Sequence, residues 1–423
     1  MVLTQTLVRN STHQCGSNMF TVGALPRTLL LTWWPPTLKY AGGEFVRRLV
    51  GVLPAGRVKW AYLSPIAKDD IPVSCECRSF VPVDLHWRLR RTKAASAFAM
   101  ELTAYWTARR IAEWIRPWKP QVLWVLPELA AVGVGTHLRA MLGIPVHLTL
   151  HDVFESAGFG ELPAWYVPRY VRRAAHLVRK ADSFDGISQE IIEHVRVQAF
   201  GTGDARTEAH APSARRTMVF PPSISETAMA PAPPRHDGDG CFRLALCGSM
   251  RTGAEQWLRF VKGLTTAFRN VEIVAVGDAR RQAELARPCG VRIVHHAYFA
   301  SEEELVAFLQ ASRADAGYAG VWDGEDRRLF AATSFSSKIT AYAAAGIPTI
   351  FDGPGDSAAW KVLRRWNAGL LWRDAGASMG AVVDLKDPVQ WQAMADGALL
   401  MCRHELCLER NARQFQDVLG AGE

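Results

Sequence analysis

The sequence has no run of about twenty apolar residues, so no bilayer-spanning helix is expected. Its first twenty residues, MVLTQTLVRNSTHQCGSNMF, lack the continuous apolar segment of a signal peptide and read as a loose tail before the first strand. Cysteine is sparse, at eight in 423 residues, too few for a disulfide scaffold. Cys75 and Cys77 form a lone CxC, and Cys402 and Cys407 stand apart, so neither pair has the spacing of a zinc site. The expectation is reduced thiols in a cytosolic protein. His295 and His296 have no carboxylate or cysteine at ligand spacing, and no metal is expected. There is no short-period repeat and no GxSxG nucleophile elbow.

Charge is present in excess of one sign. Lys and Arg number 49 against 41 Asp and Glu, a net +8, and the excess is concentrated. From Trp87 to Lys119 there are eight basic residues and two glutamates, interleaved with Phe98, Trp106, Trp114 and Trp118. From Pro163 to Lys180 there are five basic residues and no acid, with Trp165, Tyr166 and Tyr170. Such stretches suit an anionic membrane surface. They also fit solvated helix faces over core aromatics. No recognisable nucleic-acid module accompanies them, and no nucleic-acid partner is expected.

Short apolar runs alternate with helical patterns. RTLLLTWW (27–34), RVKWAYLSP (57–65), QVLWVLP (121–127) and IPVHLTLHD (144–152) read as strands, with helices between them. The texture changes near 201–240, which is rich in Gly, Ala, Pro and charge and reads as a variable loop, a short strand and a linker. The alternation restarts at FRLALCGS (242–249) and VEIVAVGD (271–278). Residues 388–419 read as two helices. This order predicts an α/β fold of two tandem Rossmann-like, doubly wound domains. The expected division is a tail at 1–26, a first domain at 27–220, a linker at 221–240, a second domain at 241–385, and helices at 386–423 that pack back on the first domain.

In open α/β sheets ligands bind beyond the carboxyl ends of the strands. Five segments qualify: Pro35–Gly43, His151–Glu155, Gly248–Gly253, Ser334–Lys338 and Asp352–Asp356. The fourth lies in SFSSKITAYAAAGIPTI (334–350), which reads as a loop, a helix capped by Ser336 or Ser337 and closed by Gly346, then a strand. Lys338 falls in the first helical turn, where a cation is unfavourable. A bound anion would explain it, because free backbone N–H groups and the ammonium would share a phosphate. Arg251, after the strand RLALC, would be a second cation.

These stretches, in this order, resemble the retaining GT-B glycosyltransferases of family 4. SFSSKITAYAAAGIPTI is similar to that family's donor-site segment, TWWPPTLKYAGG to its first loop, LTLHD to its Thr–x–His–Asp stretch, and RLALCGSMRTG to the first strand and turn of its donor domain. ADSFDGISQEI and NAGLLW are similar to two further segments, and the resemblance runs from about 27 to 420. It implies a GT-B fold and transfer of a sugar from a nucleotide-sugar donor to a glycan or lipid-linked acceptor. Retention of configuration and a metal-free cleft with no cofactor are implied too. By resemblance, Lys338 and Arg251 would hold the diphosphate, and Ser249, Ser336 and Ser337 would line the nucleotide or phosphate. His151 and Asp152 would be the catalytic residues, with His151 touching the sugar or orienting the acceptor, and Gly42 and Gly43 would admit a close approach to donor or acceptor. The setting implied is cytoplasmic, peripheral at the inner face of the membrane. The chain departs from the family at its Glu–x7–Glu pair, where it has Thr333 and Ala341. Asp323, Glu325, Asp326 and Asp352 lie close by in sequence, as candidates of which one would substitute. That departure admits a second reading, a catalytically weak GT-B protein serving polysaccharide assembly as a binding partner.

Overall fold

VLWV and the centre of TLLLT are unbroken apolar runs, the pattern of strands covered on both faces, whereas VHLTL alternates. In the computed structural model all three are buried along their whole length, the polar His147 and Thr149 of VHLTL included. The structure describes residues 25–37, 41–64, 73–81, 92–159, 162–201, 216–229, 240–249, 252–321, 324–373 and 375–420.

Among these residues the first sheet is built from β1 (Thr28–Thr32), β2 (Val58–Tyr62), β3 (Glu76–Ser79), β4 (Val122–Val125), β5 (Val146–Leu150), β6 (Ser183–Gly186) and β7 (Arg216–Val219). All pairings are parallel, in the order β3-β2-β1-β4-β5-β6-β7. Its helices are α1 (Ala41–Val52), α2 (Lys93–Ile115), α3 (Ala130–Leu142), α4 (Val167–Lys180) and α5 (Gln189–Phe200). The second sheet has β8 (Cys241–Cys247), β9 (Asn270–Val276), β10 (Arg292–His296), β11 (Ala316–Gly320), β12 (Thr349–Asp352) and β13 (Gly369–Trp372), in the parallel order β10-β9-β8-β11-β12-β13. With it run α6 (Ala254–Ala267), α7 (Ala279–Leu285), α8 (Glu302–Ala311), α9 (Arg328–Thr333), α10 (Ser337–Ala344), α11 (Ala358–Arg365) and α12 (Ala375–Asp384). The chain closes with α13 (Pro388–Glu405) and α14 (Leu408–Gly420). This is the expected α/β fold of two doubly wound units.

Strand order reverses between β1 and β4 in one sheet and between β8 and β11 in the other. Both switch points are where such folds open a crevice. α14 returns to the first sheet, with Phe415 against Trp124 and Phe220 at ring-centroid distances of 4.6 and 5.9 Å.

Three details differ from the sequence reading. β3 was not anticipated: ECRS is an edge strand, partly exposed and not apolar, held to β2 by a Lys59–Glu76 ion pair of 2.6 Å. α9 was not anticipated either. Gly42 and Gly43 lie inside the first turn of α1 rather than ahead of it.

Candidate functional site

The loops beyond both switch points meet in one interdomain cleft of about 370 Å³. From the first sheet it is lined by Trp34 after β1, Phe45, Arg47 and Arg48 on α1, Glu128 after β4, and His151 and Asp152 after β5. From the second come Gly248 and Ser249 after β8, Gly320 at the end of β11, and Ser334 to Lys338 with Ala341 at the start of α10. Six residues singled out from sequence (His151, Asp152, Ser249, Ser336, Ser337 and Lys338) therefore share one space. Arg251 lies outside the described residues. Gly43 is not on the wall. Gly43 instead seats the loop after β1: a Cβ there would fall 2.6 Å from the Pro35 carbonyl oxygen and 2.7 Å from Thr37 Cγ2.

The position of α10 is set by Tyr342. Its fully buried ring packs over Gly317, where a Cβ would fall 2.3 Å from the ring. Its hydroxyl accepts from the Cys247 amide at 3.0 Å and donates to the Tyr318 carbonyl at 3.1 Å. One side chain thus fixes α10 against the ends of β8 and β11, and so fixes Lys338 near Ser249. Burial pushes the Cys247 thiol up to about 12, with the Tyr342 hydroxyl and the Lys338 ammonium pulling the other way. Gly346 closes the helix at φ 65°, as expected. The capping expectation is corrected: Ser336 stands at the N-cap but its hydroxyl makes no capping bond.

The two positions of the missing glutamate pair separate. Ala341 is on the cleft wall. Thr333 is not; it is buried at the contact with α5, where its carbonyl accepts from Ser188 Oγ at 2.6 Å. Asp352 does not substitute for either. Its carboxylate takes the Tyr318 hydroxyl at 2.6 Å and Gln256 Nε2 at 2.9 Å in a buried network. Asp323 lies outside the described residues.

His151 is nine-tenths buried, edge-on to Phe45 at 4.7 Å, with Nδ1 3.9 Å from Glu128. Burial pulls its pKa down to about 4, so the ring is neutral at pH 7. Its Nε2 has no hydrogen-bond partner among the described residues. The same is true of two other buried atoms at the cleft, Arg47 Nε and Ser334 Oγ. Buried polar atoms are nearly always satisfied, so three orphans bordering one cavity fit a polar ligand there. No motif marks Arg47 as a site residue; its only signal in the sequence is the basic pair in EFVRRLV after Gly42 and Gly43. Burial, with Arg48 beside it, holds its guanidinium below the usual range.

Arg48 ties the two sheets together. It pairs with Glu44 one turn back on α1 and with Glu302 at the start of α8. It also donates to the Ser223 carbonyl at 3.3 Å. The Glu302 carboxyl is pushed up by burial, and Arg48 opposes that. Glu302 in turn accepts from the Ser225 amide at 3.1 Å.

Elsewhere, Ser183, His147 and Asp185 form a hydrogen-bonded chain with both links at 2.8 Å. The His147 and Asp185 side chains are fully buried, with Phe415 of α14 against the His147 ring, so no substrate reaches them. Among the described residues no three His, Cys, Asp or Glu side chains gather as a metal site.

No family model matches this sequence, and no curated protein matches it. Solved structures do match its fold. Sucrose-phosphate synthase from Thermosynechococcus elongatus superposes with a TM-score of 0.65 at 13% identity, over 92% of this chain and 97% of that one. HepE of Anabaena in complex with UDP-glucose gives 0.60 at 14%, over 93% and 99%. WaaG, a glycosyltransferase involved in lipopolysaccharide biosynthesis, gives 0.59 at 15%, over 93% and 100%. The fold is that of the GT-B glycosyltransferases.

Proposed function

We propose that this chain is a glycosyltransferase that moves a sugar from a nucleotide-sugar donor to a glycan or lipid-linked acceptor, with retention of configuration. Residues 241–385 take the donor and residues 27–220 the acceptor. The observation that carries the reading is the convergence on one cleft of Lys338, with the first turn of α10, and a facing wall whose Arg47 and His151 have unsatisfied buried nitrogens. The solved structure that holds UDP-glucose in the same fold adds support.

The chemistry follows from the charges. As the sugar leaves, negative charge grows on the departing diphosphate. Lys338 and the backbone N–H groups at the start of α10 face that charge, and preorganised donors of this kind lower the barrier. Ser249, Ser336 and Ser337 supply short hydroxyl donors that leave the backbone within reach. Neutral His151 offers a hydrogen bond to a sugar hydroxyl rather than a cation, and Asp152 stands beside it. Charge stabilisation in this scheme comes from side chains and amides, with no metal ion.

The test is thermal unfolding with UDP, GDP and ADP in turn, for the wild type and Lys338→Ala. A ligand at 100 times its dissociation constant adds about 2.7 kcal/mol of stability. One nucleoside diphosphate is expected to raise the midpoint, with most of that rise gone in the variant and EDTA without effect. If none raises it at millimolar concentration, the transferase reading fails.

A further inference from the structure

We propose that the flank of the first sheet formed by α2 and α4 is a docking surface for an anionic lipid bilayer. The docking does not depend on which sugar or acceptor the cleft takes.

The first observation is the orientation of α2. On an ordinary surface helix the large apolar residues face inward. Here the inward face carries Ala97, Ala104, Ala108 and Ala112 with Ile111 and Ile115. The large residues point outward: Phe98 is 62% exposed, Leu102 57%, Tyr105 47% and Trp106 61%. Their spacing puts them on one face of the helix. Single exposed apolar residues need no explanation, but four in a row along a helix form a patch, and patches mark contacts.

The second observation is what adjoins it. Glu101 of α2 takes Arg169 at 3.4 Å, together with Arg173 and the Tyr166 hydroxyl. The start of α4 is therefore fastened beside the patch, and Trp165, 65% exposed, stands next to it. The outer face of α4 then presents Arg169, Arg172, His176, Arg179 and Lys180 without an acid among them. The one exposed acid near the end of α2, Glu113, is paired with Arg109 at 2.9 Å.

Aromatic rings beside a row of cations match the interface of an anionic bilayer, where rings settle at the headgroup level and arginines meet lipid phosphates. A second copy of this chain would have to bring an acidic face to the α4 stripe, and this surface, cationic itself, is not one. As crossover helices of a parallel sheet, α2 and α4 begin at the edge where the strands end, the edge on which the cleft opens. Docking here turns the cleft mouth toward the lipid.

Flotation with vesicles of phosphatidylcholine, alone or mixed with phosphatidylglycerol, tests this on the full chain. The wild type is expected to float with the anionic vesicles only and to be released by high salt. Leu102→Ala with Trp106→Ala, and separately Arg172→Glu with Lys180→Glu, are each expected to lower partitioning about tenfold. Their melting midpoints should match the wild type, because these side chains are exposed. Arg259→Glu, on the exposed face of α6, should bind as the wild type does. Equal or absent binding to both vesicles at low salt overturns the proposal, as does wild-type binding by either double variant. So does self-association in sedimentation velocity that Leu102→Ala with Trp106→Ala abolishes, since that assigns the patch to a second copy.

Discussion

The two walls of the cleft are made of different material. Around the first turn of α10 the second-sheet wall is Gly248, Ser249, Gly320, Ser334, Ser336, Ser337 and Ala341, with Lys338 as its cation. The first-sheet wall is Glu44, Phe45, Arg47, Arg48, Glu128, His151 and Asp152. Small side chains leave backbone amides within reach of a ligand; long ones hide the backbone and recognise through their own groups. The first kind of wall suits a phosphate, whose shape is constant. The second suits a partner that must be told apart from others. In the proposed reaction these are the donor and acceptor sides.

The largest expected effect comes from the side chain that joins the walls. Arg48→Met leaves Glu302 buried and unpaired, which typically costs about 3–5 kcal/mol. Urea denaturation should show that loss, and Arg48→Met with Glu302→Met should recover most of it. If the single variant is as stable as the wild type, the triad of Glu44, Arg48 and Glu302 is no clamp. Next is Lys338→Ala. Removing one preorganised donor typically lowers kcat by about 10²–10³. A nucleotide response that survives Lys338→Ala but disappears in Arg47→Ala would reverse the assignment of the two walls.

The third effect is of pH. His151 has a folded pKa of about 4, against an unfolded value of about 6.5. Above pH 6.5 neither state holds the proton, and His151 contributes no pH dependence. As pH falls from 6.5 to 4 the unfolded chain takes up a proton that the folded chain refuses, so folding stability drops, by about 3 kcal/mol across the window. His151→Gln should lose that part of the slope. An unchanged slope in the variant would mean that His151 is hydrated rather than buried against Phe45.

How much of this was legible in the sequence depended on burial. TLLLT and VLWV are covered on both faces, so their apolar centres alone mark them as strands. ECRS at an exposed sheet edge carries no such signal, and it was missed. In the cleft, residues tied to a local rule were found: Lys338 because a cation is out of place in a first helical turn, and His151 because it ends a buried strand. Arg47 obeys no local rule. It lies on α1 in an unremarkable basic pair, and the burial of its Nε at the cleft comes from tertiary packing that no local pattern announces. Thr333 and Ala341 looked equivalent by spacing. They part because Thr333 is the last residue of α9, at the α5 contact, while Ala341 lies on α10, on the wall.

That separation permits the smallest and most specific test of the contrast between the walls. Ala341 lies one turn beyond Lys338 on α10, on a stretch of wall from Ser334 to Ala341 that carries no acid, at the position where the family it resembles has a glutamate for the ribose hydroxyls. A charged hydrogen bond is worth about 1.5–3 kcal/mol, and part of that is offset here by placing a carboxylate at a site only 8% exposed. Lys338, three residues earlier on the same helix, offsets some of the burial in turn. The net expectation for Ala341→Glu is about tenfold tighter binding of the nucleoside diphosphate that stabilises the wild type, measured by calorimetry. The gain should be absent for inorganic pyrophosphate and for the 2′,3′-dideoxy nucleotide, because neither brings ribose hydroxyls to the carboxylate. Equal tightening of pyrophosphate would place the effect on the phosphates, and the small-residue wall would then be reading charge alone. Weaker binding of both nucleotides with pyrophosphate unchanged would mean that the ligand's ribose sits against Ala341 itself, with no room for a longer side chain.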